Sequence, residues 1–185
     1  GSRVELGGDV NVIGTEQSTI QEDSAGGASG TLDLGLSGTG GNVTRNFNIS
    51  SYLGINARIT NGAATSASLN VTGGTLSLRG PSTTNIYTGA TTIAGGILLL
   101  AKQNGHIAIP GDLNIINGAR VTYGSASISE QIANTSTVTM SGSSSVLNGT
   151  GVNAGQLDVT ETIGNLIVTG GTFNPSSNGI WTVTG

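Results

Sequence analysis

Side chains able to do acid–base, nucleophilic or metal chemistry are few in this chain of 185 residues. The one histidine, His106, stands in the run Lys102–Asp112 (KQNGHIAIPGD), which reads as a loop. A Ser-His-Asp site would have to use it, and no G-x-S-x-G elbow accompanies it. A surface or turn position is expected instead. Among ten acidic residues, Asp112 and Asp158 stand 46 positions apart, about two periods of a 22-residue repeat. Two strand layers span about 9.6 Å, a distance that suits the carboxyl pair of an inverting glycosidase. One such pair is expected by coincidence among ten acids, and few aromatics are available as sugar platforms. Gly7-Gly8-Asp9 is a single imperfect piece of a calcium-binding roll, which needs tandem copies. Glu22-Asp23 reads as a solvated acidic turn. There is no cysteine, so disulfides, zinc–thiolate sites and thiol nucleophiles are excluded. Lys102 lacks the frame of a phosphate loop. Trp181, Tyr52, Tyr87 and Tyr123 are expected to stack in the core or at its ends. The expectation is a chain with no catalytic residue, no cofactor and no metal: not an enzyme.

What would position such residues is set by composition. Charged residues are 9% of the chain, against roughly 25% in an ordinary soluble domain. Gly, Ser, Thr and Asn make up more than half of it, with 32 glycines and 35% hydrophobic residues. Disordered chains of low hydrophobicity carry more charge and fewer β-branched residues. Many Val, Ile and Thr with many turn formers point to a β-rich fold with tight corners. The net charge is −4 with only six basic residues. A nucleic-acid partner would need a basic stripe, and none is expected. The longest apolar run, Ile97 to Ala101, is far too short to cross a bilayer, so membrane insertion is not expected.

Helical periodicity is nearly absent. Glu16 to Ala25 alone tolerates a helix, and it reads as a loop. Elsewhere apolar and polar residues alternate at period two between glycines. The predicted strands include Val10–Ile13, Thr31–Leu36, Leu53–Ile59, Leu69–Thr72, Thr75–Leu78, Thr91–Ile93 and Ile97–Leu100. Leu113–Ile116, Arg120–Tyr123, Thr137–Met140, Leu157–Thr160, Leu166–Thr169 and Trp181–Thr184 follow. Three of these segments repeat. LNVTGGTLSL from Leu69, TTIAGGILLL from Thr91 and LNIINGARVT from Leu113 begin 22 residues apart. Gly74, Gly96 and Gly118 fall on one comb, as do Val71, Ile93 and Ile115. Leu76 and Leu78 match Leu98 and Leu100, but Arg120 falls where Leu76 and Leu98 stand. A slip of one residue would turn Val121 and Tyr123 inward instead. LIVTGGTF from Leu166 is the same unit off the strict comb.

A 22-residue period with two or three short strands is one coil of a parallel β-helix, whose apolar faces are buried only by stacking. The competing reading is antiparallel. Asn61-Gly62, Asn104-Gly105, Asn117-Gly118, Asn148-Gly149 and Asn178-Gly179 are hairpin dipeptides. Asn and Gly equally supply the left-handed residue of a solenoid corner, and hairpins do not explain repeats running in one direction. Stacking also explains the scarcity of charge. Equivalent residues about 4.8 Å apart repel by roughly 0.9 kcal/mol per like pair even in water, whereas Thr, Ser and Asn form hydrogen-bonded ladders.

Asn85–Ala101, NIYTGATTIAGGILLLA, resembles the autotransporter-associated β-strand repeat of type V secreted passengers and other large bacterial surface proteins. That pattern is approximately N-x-Y-T-G-x-T-x-I-x-x-G-T-L-x-L. Asn85, Tyr87, Thr88, Gly89, Thr91, Ile93, Gly96, Leu98 and Leu100 match it, and Ile97 replaces a Thr. The match covers under a tenth of the chain. The resemblance implies a right-handed β-helix exported to the cell surface, and it does not fix an activity. The fold expected is therefore an all-β, right-handed parallel β-helix of about eight coils at roughly 22 residues each, residues 1–185 forming a single solenoid domain. The function expected is structural: an extracellular rod, or an adhesin-passenger-like stalk, on the bacterial outer surface. The expected partners are a longer continuation of the chain, a second copy stacked end to end, or a host or matrix surface. A filament subunit is the second class and a carbohydrate-active enzyme the third.

Overall fold

The computed structural model describes residues 2–21, 30–80, 83–103, 105–124, 129–151, 159–175 and 179–185. Every strand pair among them is parallel, and none of them is helical. The chain winds as a parallel β-solenoid, and each turn visits three faces in order. The first rung is β1 (Arg3–Glu5), β2 (Val10–Val12) and β3 (Gln17–Ile20). The second is β4 (Thr31–Gly35), β5 (Asn42–Ile49) and β6 (Tyr52–Ile55). The third is β7 (Arg58–Gly62), β8 (Ser66–Thr72) and β9 (Thr75–Gly80). The next three have strands on two faces: β10 (Thr91–Ile93) and β11 (Ile97–Lys102), β12 (Leu113–Ile115) and β13 (Arg120–Tyr123), β14 (Thr137–Met140) and β15 (Val146–Gly151). The seventh has β16 (Glu161–Ile163), β17 (Asn165–Val168) and β18 (Thr172–Asn174), and β19 (Trp181–Val183) lies against β16.

Two sheets therefore hold seven strands each, in the orders β17-β14-β12-β10-β8-β5-β2 and β18-β15-β13-β11-β9-β6-β3. This corrects the expected eight coils of 22 residues: there are about six full turns of about 24 residues. Ladder partners lie 37 residues apart between the first two rungs, then 24, 22, 22, 25 and 28. The strands are held to the rung spacing, while corners facing solvent absorb insertions at little cost.

The inward positions stack. Val71, Ile93 and Ile115 form one ladder, with Leu69, Thr91 and Leu113 beside it. Leu76 and Leu78 lie under Leu98 and Leu100 on the next face. All of these are buried. Each fully buried aliphatic side chain contributes about 1.5–3 kcal/mol of apolar transfer. Over the next rung Leu98 meets Val121 and Leu100 meets Tyr123, which leaves Arg120 outside against Ile97. The extra residue is taken up in the corner Ile116–Ala119, where Asn117 and Gly118 both have positive φ.

Three expectations need correction. Leu53–Ile59 is two strands, because the chain turns a corner at Asn56-Ala57 while alternation continues through buried Ala57. The Glu16–Ala25 loop contains β3, whose Ser18 and Ile20 sit over Leu53 and Ile55. Of Leu157–Thr160, residues 157–158 lie outside the described residues, and the strand there is β16. The long β5 was not legible because Arg45 breaks its apolar alternation. Arg45 occupies an inward register opposite Leu69, and its guanidinium donates to the carbonyls of Leu34 (2.6 Å) and Leu6 (2.7 Å).

Gly96 sits in the corner between β10 and β11 with φ +74, and a Cβ there would run into the carbonyl oxygens of Gly73 and Gly74. Gly74 occupies the same corner one rung earlier. Leu98→Ala is expected to cost about 2–5 kcal/mol. Gly96→Ala is expected to cost more than the roughly 1–2 kcal/mol of left-handed strain alone, because backbone of the neighbouring rung must move. Urea unfolding checks both; a cost under 1 kcal/mol for either would contradict this packing.

Candidate functional site: a buried polar spine on the first face

Rungs four to six have no strand on the first face, the face of β1, β4 and β7. One isolated bridge, between Ile109 and Ile132, marks the path. Backbone groups buried without ladder partners would each cost about 1–3 kcal/mol, so the side chains there have to supply partners. Three inward polar residues do so.

Asn85 is fully buried. Its Oδ1 accepts the Ile59 N–H (2.9 Å) from the rung before, and its Nδ2 donates to the Ala108 carbonyl (2.8 Å) of the rung after. Gln131 is also fully buried. Its Oε1 accepts the Lys102 N–H (3.0 Å), and its Nε2 donates to the His106 carbonyl (3.1 Å). Glu161 is the third. Its Oε2 accepts the Gln131 N–H (3.0 Å) and the Tyr123 hydroxyl (2.7 Å), and its Oε1 accepts the Ile132 N–H (3.1 Å). Each side chain thus stitches its own rung to a neighbour.

Burial raises the Glu161 carboxyl to about 7, against hydrogen bonds that favour the anion; the Glu130 carboxylate nearby adds to the rise. Burial also pushes the Tyr123 phenol well above its usual range, with Glu161 adding to it. Trp181 meets Tyr123 edge to face at 6.2 Å and Phe173 at 4.9 Å. Glu130 itself adopts φ 55, rare for a residue with a side chain, and its Oε1 accepts the Thr162 hydroxyl at 3.2 Å.

The repeat residues lie around this spine. Tyr87, two positions after Asn85, is buried with its hydroxyl 2.6 Å from Thr91 Oγ1, and burial raises its phenol. Gly89 follows at a close approach, where a Cβ would meet the backbone of Ala67 in the preceding rung. Val71, Ile93, Ile115, Leu76, Leu78, Leu98 and Leu100 fill the interior, and Gly74, Gly96 and Gly118 stand at the corner between the second and third faces.

Outside, the second face carries amide ladders. Asn70 Nδ2 donates to Asn46 Oδ1 (2.8 Å), and Asn46 Nδ2 to Asp9 Oδ2 (2.9 Å). Beside them Thr72 donates to Asn48 (2.8 Å) and Asn48 to Asn11 (2.9 Å). Asp9 ends the first ladder, and its hydrogen bonds from Asn46 hold its carboxyl below the usual range. A shallow cleft of about 340 Å³ lies by Ile13, Asn48, Ile49 and Gly73. Its hydroxyls are engaged: Ser50 donates to the Val12 carbonyl and Thr72 to Asn48.

The residues singled out for chemistry are not brought together. Asp112 caps the next rung, accepting the Thr137 N–H at 2.8 Å. Asp158, its proposed partner, lies outside the described residues, as does Glu22-Asp23. His106 bonds through its backbone, its N–H to Gln103 and its carbonyl to Gln131. Among the described residues no group of three or more His, Cys, Asp or Glu gathers to hold a metal ion. Sequence reasoning missed the roles of Gln131 and Glu161. A signal existed: Glu161 stands at the inward step between Val159 and Ile163, and all three are buried.

The fold and this spine define a parallel β-solenoid repeat protein. No family model, curated protein or solved structure matches the chain.

Asn85→Ala would orphan the Ile59 N–H and the Ala108 carbonyl together. The expected cost is more than about 2 kcal/mol. Denaturant unfolding measures it, and a near-neutral result would mean that neither bond matters.

Proposed function

We propose that the chain is a structural segment of an extracellular bacterial β-helix. It serves as a rigid rod or stalk of the autotransporter-passenger kind, displayed at the cell surface and without catalytic activity. One observation carries this reading. The buried amides and carboxyl of the first face, Asn85, Gln131 and Glu161, hold backbone groups of neighbouring rungs rather than facing an opening. A supporting point is that the residues matching the surface-protein repeat, Asn85, Tyr87, Gly89 and Gly96, have structural work in the corners and core. Seven rungs make a body about 30 Å long at the strand spacing. Its neutral Asn and Thr ladders present little charge, so contact with a host or matrix surface would rest on hydrogen bonding and shape rather than ion pairing.

A second reading, a filament subunit stacked end to end, is favoured by one observation. Ile167, Val168 and Val183 are each about half exposed on β17 and β19. Further coils of a longer chain would cover the same residues.

The expected outcome against a panel of polysaccharides and esters is no turnover by the purified chain. Turnover abolished by Asp112→Asn would overturn the structural reading. Sedimentation over a wide concentration range separates rod segment from filament. Mass that grows with concentration, and is suppressed by Val183→Lys, selects the filament, because charge at a strand edge blocks edge pairing.

A further inference from the structure

At Glu161 a fully buried carboxyl group takes the place of backbone carbonyls in joining two rungs. The Gln131 and Ile132 N–H groups of the sixth rung point at its two oxygens, and the Tyr123 hydroxyl reaches it from the fifth. No part of it is exposed. The groups around it come from every neighbouring element. β13 brings the Tyr123 phenol. The segment before Ile132 brings Glu130, whose Oε2 is buried with no hydrogen-bond partner. β19 pairs with the backbone of β16 and brings Trp181, which carries no charge. At the far side of Gln131 stand Lys102, buried at the end of β11 and held through its N–H, and His106, held through its carbonyl.

We propose that Glu161 makes the junction between the sixth and seventh rungs proton-sensitive, the neutral carboxyl keeping the first face closed and ionisation loosening it. Three donors favour the anion, while burial and the second carboxylate oppose it, and the opposition is the larger. The direction of the effect follows. In the opened junction Glu161 has its ordinary value of 4.5, and in the closed one about 7. Below 4.5 both forms hold the proton, and the closed state has its full stability. Between the two values the opened state alone gives the proton up, so rising pH favours opening by up to tenfold per pH unit. Above about 7 both are ionised, and the loss is complete. The anion is then left in the interior with three donors and a like charge beside it.

The experiment uses the full chain. Carboxyl ¹³C NMR follows each Glu from pH 3 to 9, and hydrogen exchange follows the Gln131 and Ile132 amides at pH 5 and 8, corrected for intrinsic exchange. One Glu carboxyl titrating near 7 is expected. The opening equilibrium at those two amides should rise more than tenfold from pH 5 to pH 8. Glu161→Gln should remove this dependence, and Glu130→Gln should move the midpoint down by removing the neighbouring charge. If Glu161→Gln does not fold, the wild-type titration decides alone. A Glu161 carboxyl titrating near 4.5, or equal protection of both amides at the two pH values after correction, overturns the proposal.

Discussion

The spacing between hydrogen-bonded parallel strands, about 4.8 Å, governs this molecule. Residues of a ladder stand directly against their partners in the next rung, so whatever is good or bad about a side chain there is repeated along the axis. Inward, this turns Val71, Ile93 and Ile115 into a continuous apolar column. Outward, it makes stacked like charges costly and lets Asn46 and Asn70 donate along a ladder. The exception shows the rule. Glu5 stacks on Asp33, and the same cation, Arg3, bridges both, while Thr60 donates to Asp33 from the rung beyond.

The same constraint explains the first face. Where the chain leaves strand geometry in the middle rungs, the ladder is lost but the burial is not. Side chains then have to do what backbone groups did. An amide suits this because it donates and accepts at once, as Asn85 does between Ile59 and Ala108. A carboxyl group offers two acceptor oxygens, so Glu161 serves where two N–H groups and a phenol converge. The price is a buried acid whose proton affinity is raised, a sensitivity the amides do not have.

Corners obey different rules from rungs. Gly96 has to be glycine because the preceding rung's carbonyls leave no room. Loop length is nearly unconstrained, since a corner can bulge into solvent while the strands keep register. A solenoid can therefore vary its surface while its interior stays nearly fixed.

The sequence by itself determined the local pattern. Alternation placed Thr91–Ile93, Arg120–Tyr123 and Thr137–Met140 at the ends they have in the structure. The unit from Leu69 to Thr122 carried enough repetition to imply parallel stacking, and Arg120 betrayed the one-residue slip. The tertiary structure decided what depends on neighbours distant in sequence. Arg45 can face inward only because the carbonyls of Leu6 and Leu34 meet it. Glu161 can be buried only because the N–H groups of Gln131 and Ile132 lack a ladder there. The number of turns was also decided in space, since rung spacing is fixed by hydrogen bonds and coil length is not. A polar residue among apolar ones reads as a break in a pattern until the buried backbone it serves is known.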